Sequence, residues 1–259
     1  MEHHRAPRLV GDPLGTGEKL EPLSAGISVI TGKNHTFNTD TILLANFSMP
    51  RPGEICADLG TGCGTIPLLW CARSNPRRVY AVELQKEACN LAQRSVRLNK
   101  LENQVEVIHE DIKTLRQNRS LPFNLDRIAC NPPYKPNNTG VHSAREEQRI
   151  ARHEVACGFS DIAAAAAAFL RWSGRFFCCL RPERLCDTML TLRSVGLEPK
   201  RLQFVQQRAG KAPFLFLLQA NRGGRPGLKV EPTLFIESEN GGFSEEMLKI
   251  YGDYKEGRV

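Results

Sequence analysis

The sequence predicts an α/β protein built on a doubly wound, mostly parallel sheet. Three observations predict it: from residue 53 onward short apolar strands alternate with helical segments, acidic residues close the strands, and a glycine turn joins the first of these strands to the first helix. Open sheets of this kind bind ligands at the carboxyl ends of their strands, so the residues there are the functional candidates.

Taken in order, Ile27 to Ile30 is strand-like, Gly32 to Asn34 is a turn, and a helix opens near Thr39. Glu54 to Leu59 alternates as a strand, and Thr65 to Arg73 follows with helical spacing. Val79 to Val82 is the next strand, Gln85 to Asn99 its helix, and Val105 to His109 the strand after that. Leu125 to Cys130 is an apolar run. Ala144 to Trp172, with six alanines from Ala163 to Ala168, is a high-propensity helix that precedes a strand over Arg175 to Leu180. Glu183 to Val195 is a further helix, closing near Gly196 with Pro199 beyond. Arg201 to Gln207 and Phe214 to Gln219 are β-rich, Leu228 to Ile236 is extended, and a last helix starts at Ser244. The chain divides into an N-terminal extension (1–52), a central domain (53–222) and a C-terminal strand and helix extension of that domain (223–259).

The glycine turn runs Asp58-Leu59-Gly60-Thr61-Gly62-Cys63-Gly64. Its Gly-x-Gly-x-Gly spacing departs from the Gly-x-Gly-x-x-Gly of nicotinamide-dependent enzymes, and an aspartate precedes the first glycine by two residues. A pyrophosphate needs only free N–H donors. A zwitterionic methionine tail needs close backbone approach and a carboxylate near its ammonium, so the turn favours S-adenosylmethionine, with Asp58 serving the ammonium through water. Glu83 ends the next strand 23 residues after Gly60, close to the ~20 expected of a carboxylate that accepts ribose hydroxyls. Glu110 and Asp111 end the strand after that; Asp111 is the choice for the adenine amine, because Ile112 can pack on the purine.

Asn131-Pro132-Pro133-Tyr134 follows the apolar run. An exocyclic amine on an aromatic ring is a poor nucleophile, because its lone pair is delocalised. Two acceptors, the Asn131 side-chain oxygen and the Pro132 carbonyl, would each take one N–H and turn the lone pair toward an electrophilic methyl group. The prolines hold those acceptors rigidly, and Tyr134 offers a ring on which a flipped base stacks. No general base is needed, since the cationic product nitrogen is far more acidic than the starting amine.

On these motifs the chain resembles the class I, Rossmann-like methyltransferases, and within them the tRNA(Val) adenine N6-methyltransferases, which act next to the anticodon. The likeness extends through Phe37 to Leu44, Asp58 to Gly64, Glu83, Asn131 to Tyr134, Arg149 to Glu154, Arg181 to Arg184 and Glu198 to Arg201. It implies a seven-stranded sheet ending in an antiparallel hairpin, and a cofactor-side role for Asp40. Asn38 departs from the family, many members of which carry glycine or serine there. Asn-Pro-Pro-Tyr is shared with glutamine methyltransferases of release factors and with DNA and rRNA enzymes, so the motif specifies the chemistry more tightly than the substrate.

Composition narrows the setting. With 41% apolar residues, a single core is easily built. No run of eighteen apolar residues exists and the N-terminus has no apolar h-region, so a cytoplasmic protein is expected. Nine cysteines without a Cys-x-x-Cys pair read as reduced thiols, with no metal site. The net charge of +7 gathers after the Asn-Pro-Pro-Tyr loop, at Arg145, Arg149, Arg152 and His153, and in the last third, at Lys200, Arg201, Arg208, Lys211, Arg222, Arg225 and Lys229. Such side chains would hold nucleic-acid phosphates. The expected protein is an S-adenosylmethionine-dependent N6-adenine methyltransferase acting on RNA, most specifically tRNA, as a monomer or weak homodimer. Asn131, Pro132, Pro133 and Tyr134 are its catalytic residues, Asn131 also counts with Asp40, Asp58, Gly60, Thr61, Gly62, Gly64, Glu83, Asp111 and Ile112 among the cofactor contacts, and Tyr134, Arg149, Arg152, His153, Lys200 and Arg201 are its substrate contacts. A glutamine methyltransferase, whose relatives carry an N-terminal helical bundle, fits the β-like start less well. A small-molecule methyltransferase, an rRNA or DNA enzyme, and a non-catalytic cofactor-binding RNA protein stay open.

Overall fold

In the computed structural model, which describes residues 14–24, 26–132 and 158–252, the alternation of strand and helix builds a nine-stranded sheet. Its strands are β3 (Ile55–Leu59), β4 (Arg78–Glu83), β5 (Val105–His109), β6 (Leu125–Cys130), β7 (Leu170–Leu180), β8 (Leu197–Gln206), β9 (Leu215–Arg222), β10 (Lys229–Val230) and β11 (Leu234–Phe235). They lie in the order β10-β8-β9-β7-β6-β3-β4-β5, and β11 also pairs with β8. All pairs are parallel except those of β9, which runs antiparallel to both β7 and β8 as the expected terminal hairpin. The strand order reverses between β3 and β6, which opens a crevice beyond their carboxyl ends.

Helices cover both faces. On one face α1 (Thr39–Phe47), α2 (Thr65–Ser74), α3 (Lys86–Leu98) and α7 (Glu245–Tyr251) bury Ile42, Leu43, Leu44, Leu68, Trp70, Leu91, Val96 and Met247. On the other, α4 (Leu115–Asn118), α5 (described over 158–169) and α6 (Leu185–Ser194) bury Leu115, Phe159, Ile162, Ala166 and Leu192. Each strand therefore alternates apolar residues between two cores, which is why β3, β6 and β9 read as nearly continuous apolar runs. The alanine run packs α5 closely on the sheet, with Ala163 and Ala166 fully buried. No helix among the described residues is long and apolar enough to cross a membrane.

A separate hairpin, β1 (Lys19–Pro22) and β2 (Ser28–Thr31), precedes α1. Its backbone is tied to α3: Ser28 N–H donates to Asn99 Oδ1 (3.0 Å), Asn99 Nδ2 donates back to Ser28 O (2.7 Å), and Ile30 N–H donates to Ser95 Oγ (2.9 Å).

Two boundaries differ from the sequence expectation. Trp172 belongs to β7, since the strand begins at Leu170 and runs through a bulge at Ser173, where φ is +62°. Helical propensity ends with the alanines, and the Trp172 ring packs so closely on Gly223 that a Cβ there would lie 2.3 Å from it. β8 starts at Leu197 and passes Pro199 by a second irregularity before Arg201, so proline marks a bulge rather than the strand's limit.

At the amino ends of the central strands lies a buried ion network. Glu54 accepts from Arg127 (2.9 Å) and from Arg175, and Arg127 also donates to the Ser48 carbonyl (3.1 Å). The Arg127 guanidinium stacks on the Phe177 ring, 4.7 Å from its centroid.

Candidate active site

The register sets the site. Leu59 pairs with Cys130 and with Val82, and Glu83 pairs with His109, so Gly60, Asn131 and Glu110 are each the first residue beyond a strand and form one row with Glu83. The turn after β3 needs glycine for its backbone: φ is +75° at Gly60, +58° at Gly62 and +89° at Gly64. A Cβ at Gly60 or Gly62 would meet nothing within 4 Å, so the space above the turn is open.

The amides of this turn are occupied within the protein. Gly60 N–H and Thr61 N–H both donate to Val82 O (2.9 Å each), Gly62 N–H donates to Glu83 Oε2 (2.8 Å), and Gly64 N–H donates to Thr61 O (3.0 Å). A pyrophosphate would find few donors here. What the site offers instead is negative: both Asp58 carboxylate oxygens, and Thr61 Oγ1, are buried without a hydrogen-bond partner. Burial pushes the Asp58 carboxyl up to about 7; the nearby Thr61 hydroxyl opposes the shift and the Glu83 charge adds to it. A carboxylate that is 1% exposed and unpartnered is the complement of an ammonium group. The residues present therefore fit S-adenosylmethionine, with Asp58 toward its ammonium.

Glu83 is held by the turn it faces: Oε2 takes the Gly62 amide and Oε1 takes the Gln85 amide (2.8 Å each). Glu110 is engaged locally, accepting from Thr114 Oγ1 (3.0 Å) and Asn118 Nδ2 (2.6 Å); these bonds, with Ser120, outweigh burial and lower its pKa. Asp111 accepts only the Lys113 amide among the hydrogen bonds resolved there (3.0 Å), and Ile112 packs partly buried on the core below. Cys63 lies in the turn with its thiol pushed up by burial and set against Thr65 Oγ1 (3.4 Å), unsuited to nucleophilic attack.

Asn131 is flanked by α1 on one side and β7 on the other. Its Nδ2 donates to Thr41 Oγ1 (3.1 Å), and its Oδ1 accepts from the Cys179 thiol (3.2 Å). Thr41 is anchored by Asn38, the N-cap of α1. Asp40 is buried in the first turn of the same helix, at 6% exposure. Neither Asn38, Thr41 nor Cys179 stands out as a functional residue by motif; the signal available was an asparagine immediately before the helix that opens near Thr39, a residue type that caps helices.

The remaining candidates separate. Pro133, Tyr134, Arg149, Arg152 and His153 lie outside the described residues. Lys200 and Arg201 are on β8, separated from β6 by both β9 and β7. Lys200 Nζ donates to the Arg225 carbonyl (3.0 Å). Arg201 pairs with Glu231 (3.0 Å), stacks on Phe47 at 4.7 Å and lines a cleft of about 590 Å³ with Arg51, Arg127 and Arg175. Of the other basic residues in the last third, Lys229 pairs with Glu231 (2.9 Å) and Arg222 donates to the Leu170 carbonyl.

A three-layer α/β/α fold whose switch-point crevice holds an unpartnered carboxylate over a glycine turn, with an amide-proline pair opposite, defines a group-transfer enzyme for a cationic cofactor. The chain belongs to the methyltransferase small domain family, whose model matches residues 33–177. It is a methyltransferase, and S-adenosylmethionine is its cofactor. It is 25% identical over 221 residues to a tRNA1(Val) (adenine(37)-N6)-methyltransferase of Shewanella sp. (strain MR-4), covering 84% of this chain and 90% of that one. A protein of the same name from Aliivibrio salmonicida (strain LFI1238) is 31% identical over 139 residues, 53% of this chain and 56% of its own. Among solved structures, a predicted O-methyltransferase, protein Atu636 from Agrobacterium tumefaciens, matches with a TM-score of 0.66 at 21% identity, over 83% of this chain and 97% of that one. M. jannaschii TYW2 in complex with AdoMet matches at 0.54 and 15% identity, over 83% and 89%. At these identities the two structures bear on the fold alone.

Proposed function

We propose that the chain methylates the exocyclic N6 of an adenine in RNA, specifically a tRNA adenine next to the anticodon. The observation that carries this reading is the Asn131 amide at the end of β6, set beside the glycine turn and the unpartnered Asp58 at the end of β3. The names of the curated relatives support the RNA and the position.

S-adenosylmethionine supplies an electrophilic methyl group. Asp58 would serve its ammonium, Gly60, Thr61, Gly62 and Gly64 would let it approach the backbone, Glu83 would take the ribose hydroxyls and Asp111 with Ile112 would receive the adenine; Asp40, buried in the first turn of α1, would add to the cofactor side. Asn131 Oδ1 and the Pro132 carbonyl each accept one N–H of the target amine, which turns its lone pair out of conjugation. These interactions strengthen as the amine pyramidalises, so they act on the transition state more than on binding. Pro133 stiffens that loop and Tyr134 stacks on the flipped base. Arg149, Arg152, His153, Lys200 and Arg201 contact the RNA backbone. The reaction needs no metal, and the enzyme works in the cytoplasm as a monomer or weak homodimer.

The test is transfer of labelled methyl from S-adenosylmethionine to bulk tRNA lacking modification, followed by nucleoside analysis. N6-methyladenosine in tRNA supports the reading. Label confined to rRNA or to a protein glutamine keeps the Asn131 chemistry and overturns the substrate.

A further inference from the structure

We infer that Asn38 and Thr41 form a positioning relay that fixes which way the Asn131 amide points. An asparagine amide has two ends of similar size and opposite hydrogen-bonding sense, so a half-buried one such as Asn131 takes its direction from its partners. Here the direction is set from outside the site. The backbone N–H of Thr41 can only donate, and it donates to Asn38 Oδ1 (3.1 Å) as the N-cap of α1. That places the carbonyl end of Asn38 against Thr41. The Thr41 hydroxyl then donates its single proton to the same Oδ1 (3.1 Å). With its proton so placed, Thr41 Oγ1 is left as an acceptor, and Asn131 Nδ2 donates to it (3.1 Å). The carbonyl end of Asn131 is thereby turned the other way, where the Cys179 thiol donates to it (3.2 Å). A flipped Asn131 would give up the Asn38 bond of the Thr41 hydroxyl or set an NH₂ against it.

The relay rests on the proposed role of Asn131, because a carbonyl can accept an N–H of the target amine and an NH₂ group cannot. The cap of a helix outside the glycine turn thereby sets the polarity of the group that acts on the substrate. Asn38 and Thr41 touch neither reactant and are positioning residues.

Thr41→Val keeps the shape of the side chain and removes the acceptor, whereas Thr41→Ser keeps it. With the two amide orientations equally populated, half the molecules would be unreactive, and the freed amide would also be misplaced. For Thr41→Val we expect kcat to fall about three- to tenfold with the cofactor Kd unchanged, and for Thr41→Ser a return to within about twofold of wild type. Asn38→Asp, which can only accept at that side chain, should retain activity, and Asn38→Ala should behave like Thr41→Val. The direct readout needs no RNA: the side-chain ¹⁵N–¹H pair of Asn131, assigned by its absence in Asn131→Asp, should be protected from solvent exchange in wild type and Thr41→Ser and lose protection in Thr41→Val. An Asn131 amide equally protected in Thr41→Val overturns the relay. Loss of protection in that variant together with a wild-type protein that leaves tRNA unmethylated upholds the relay and overturns the substrate.

Discussion

Asp58 makes the empty protein less stable than it could be, and Asp58→Asn exposes that. Its carboxyl, ordinarily near 3.8, is pushed up to about 7 by burial. In the folded chain it therefore binds a proton more tightly than in the unfolded chain, so stability falls as pH rises from about 4 to about 7 and levels off above. At about 1.4 kcal/mol per pH unit, keeping the side chain charged at pH 8 costs the fold about 4 kcal/mol. Asparagine removes that cost but leaves a buried amide without partners, itself worth about 1–3 kcal/mol against the fold. Urea denaturation without cofactor should then find Asp58→Asn more stable than wild type by about 1–3 kcal/mol at pH 8, and no more stable, or slightly less, at pH 4. Cofactor binding should move the opposite way, since removing one partner of a buried charge pair costs about 2–5 kcal/mol, or about 30-fold and more in affinity by calorimetry. Wild-type affinity should also rise with pH between about 6 and 7 and lose this dependence in the variant. A variant that is destabilised at pH 8, or one that binds S-adenosylmethionine as wild type does, would refute the assignment of Asp58 as an unpartnered carboxylate awaiting an ammonium.

Three further outcomes are expected. Asn131→Ala should lose most turnover, about 100-fold or more in kcat, with cofactor affinity intact by calorimetry; equal loss of binding would show that Asn131 holds cofactor rather than the amine. Glu54→Ala leaves the buried Arg127 and the half-buried Arg175 without their carboxylate and should destabilise the fold by about 3–5 kcal/mol in urea denaturation; a change under 1 kcal/mol would mean the network is hydrated and weak. Lys200→Ala with Arg201→Ala should weaken RNA binding and flatten its dependence on salt; a wild-type salt slope would move the RNA surface elsewhere, as the engagement of Arg201 by Glu231 and Gln219 makes a fair contest.

The order of strands and helices was legible because β3, β4 and β5 are short apolar runs closed by a glycine or an acid, and α3 shows its buried face in the spacing of Ala88, Leu91, Ala92, Ser95 and Val96. Hairpin β1–β2 was half hidden: Lys19 to Pro22 has no apolar alternation and is held by pairing with β2. Trp172 was read into a helix because propensity is local, whereas the pairing of β7 with β6 and β9 that holds the strand is not. At the site, sequence spacing pointed to Asp58, Glu83 and Asn131, since strand ends converge in a parallel sheet. It could not reveal that the turn's own amides are occupied, which is what separates an ammonium site from a phosphate site, nor that Thr41 and Cys179, 90 residues before and 48 after, meet Asn131. The basic residues of the last third show the opposite failure: several are engaged by Glu231 or by carbonyls. Charge in a sequence does not say which side chains are already paired.

The most direct test of the proposed chemistry uses two stem-loop RNAs that carry a single adenine next to the anticodon, identical except that in one of them this base is purine, which lacks the exocyclic amine. Labelled methyl from S-adenosylmethionine should enter the adenine RNA as N6-methyladenosine and leave the purine RNA unlabelled. Equal labelling of both RNAs, or labelling of neither beside a labelled protein glutamine, would contradict amino methylation of adenine by this enzyme.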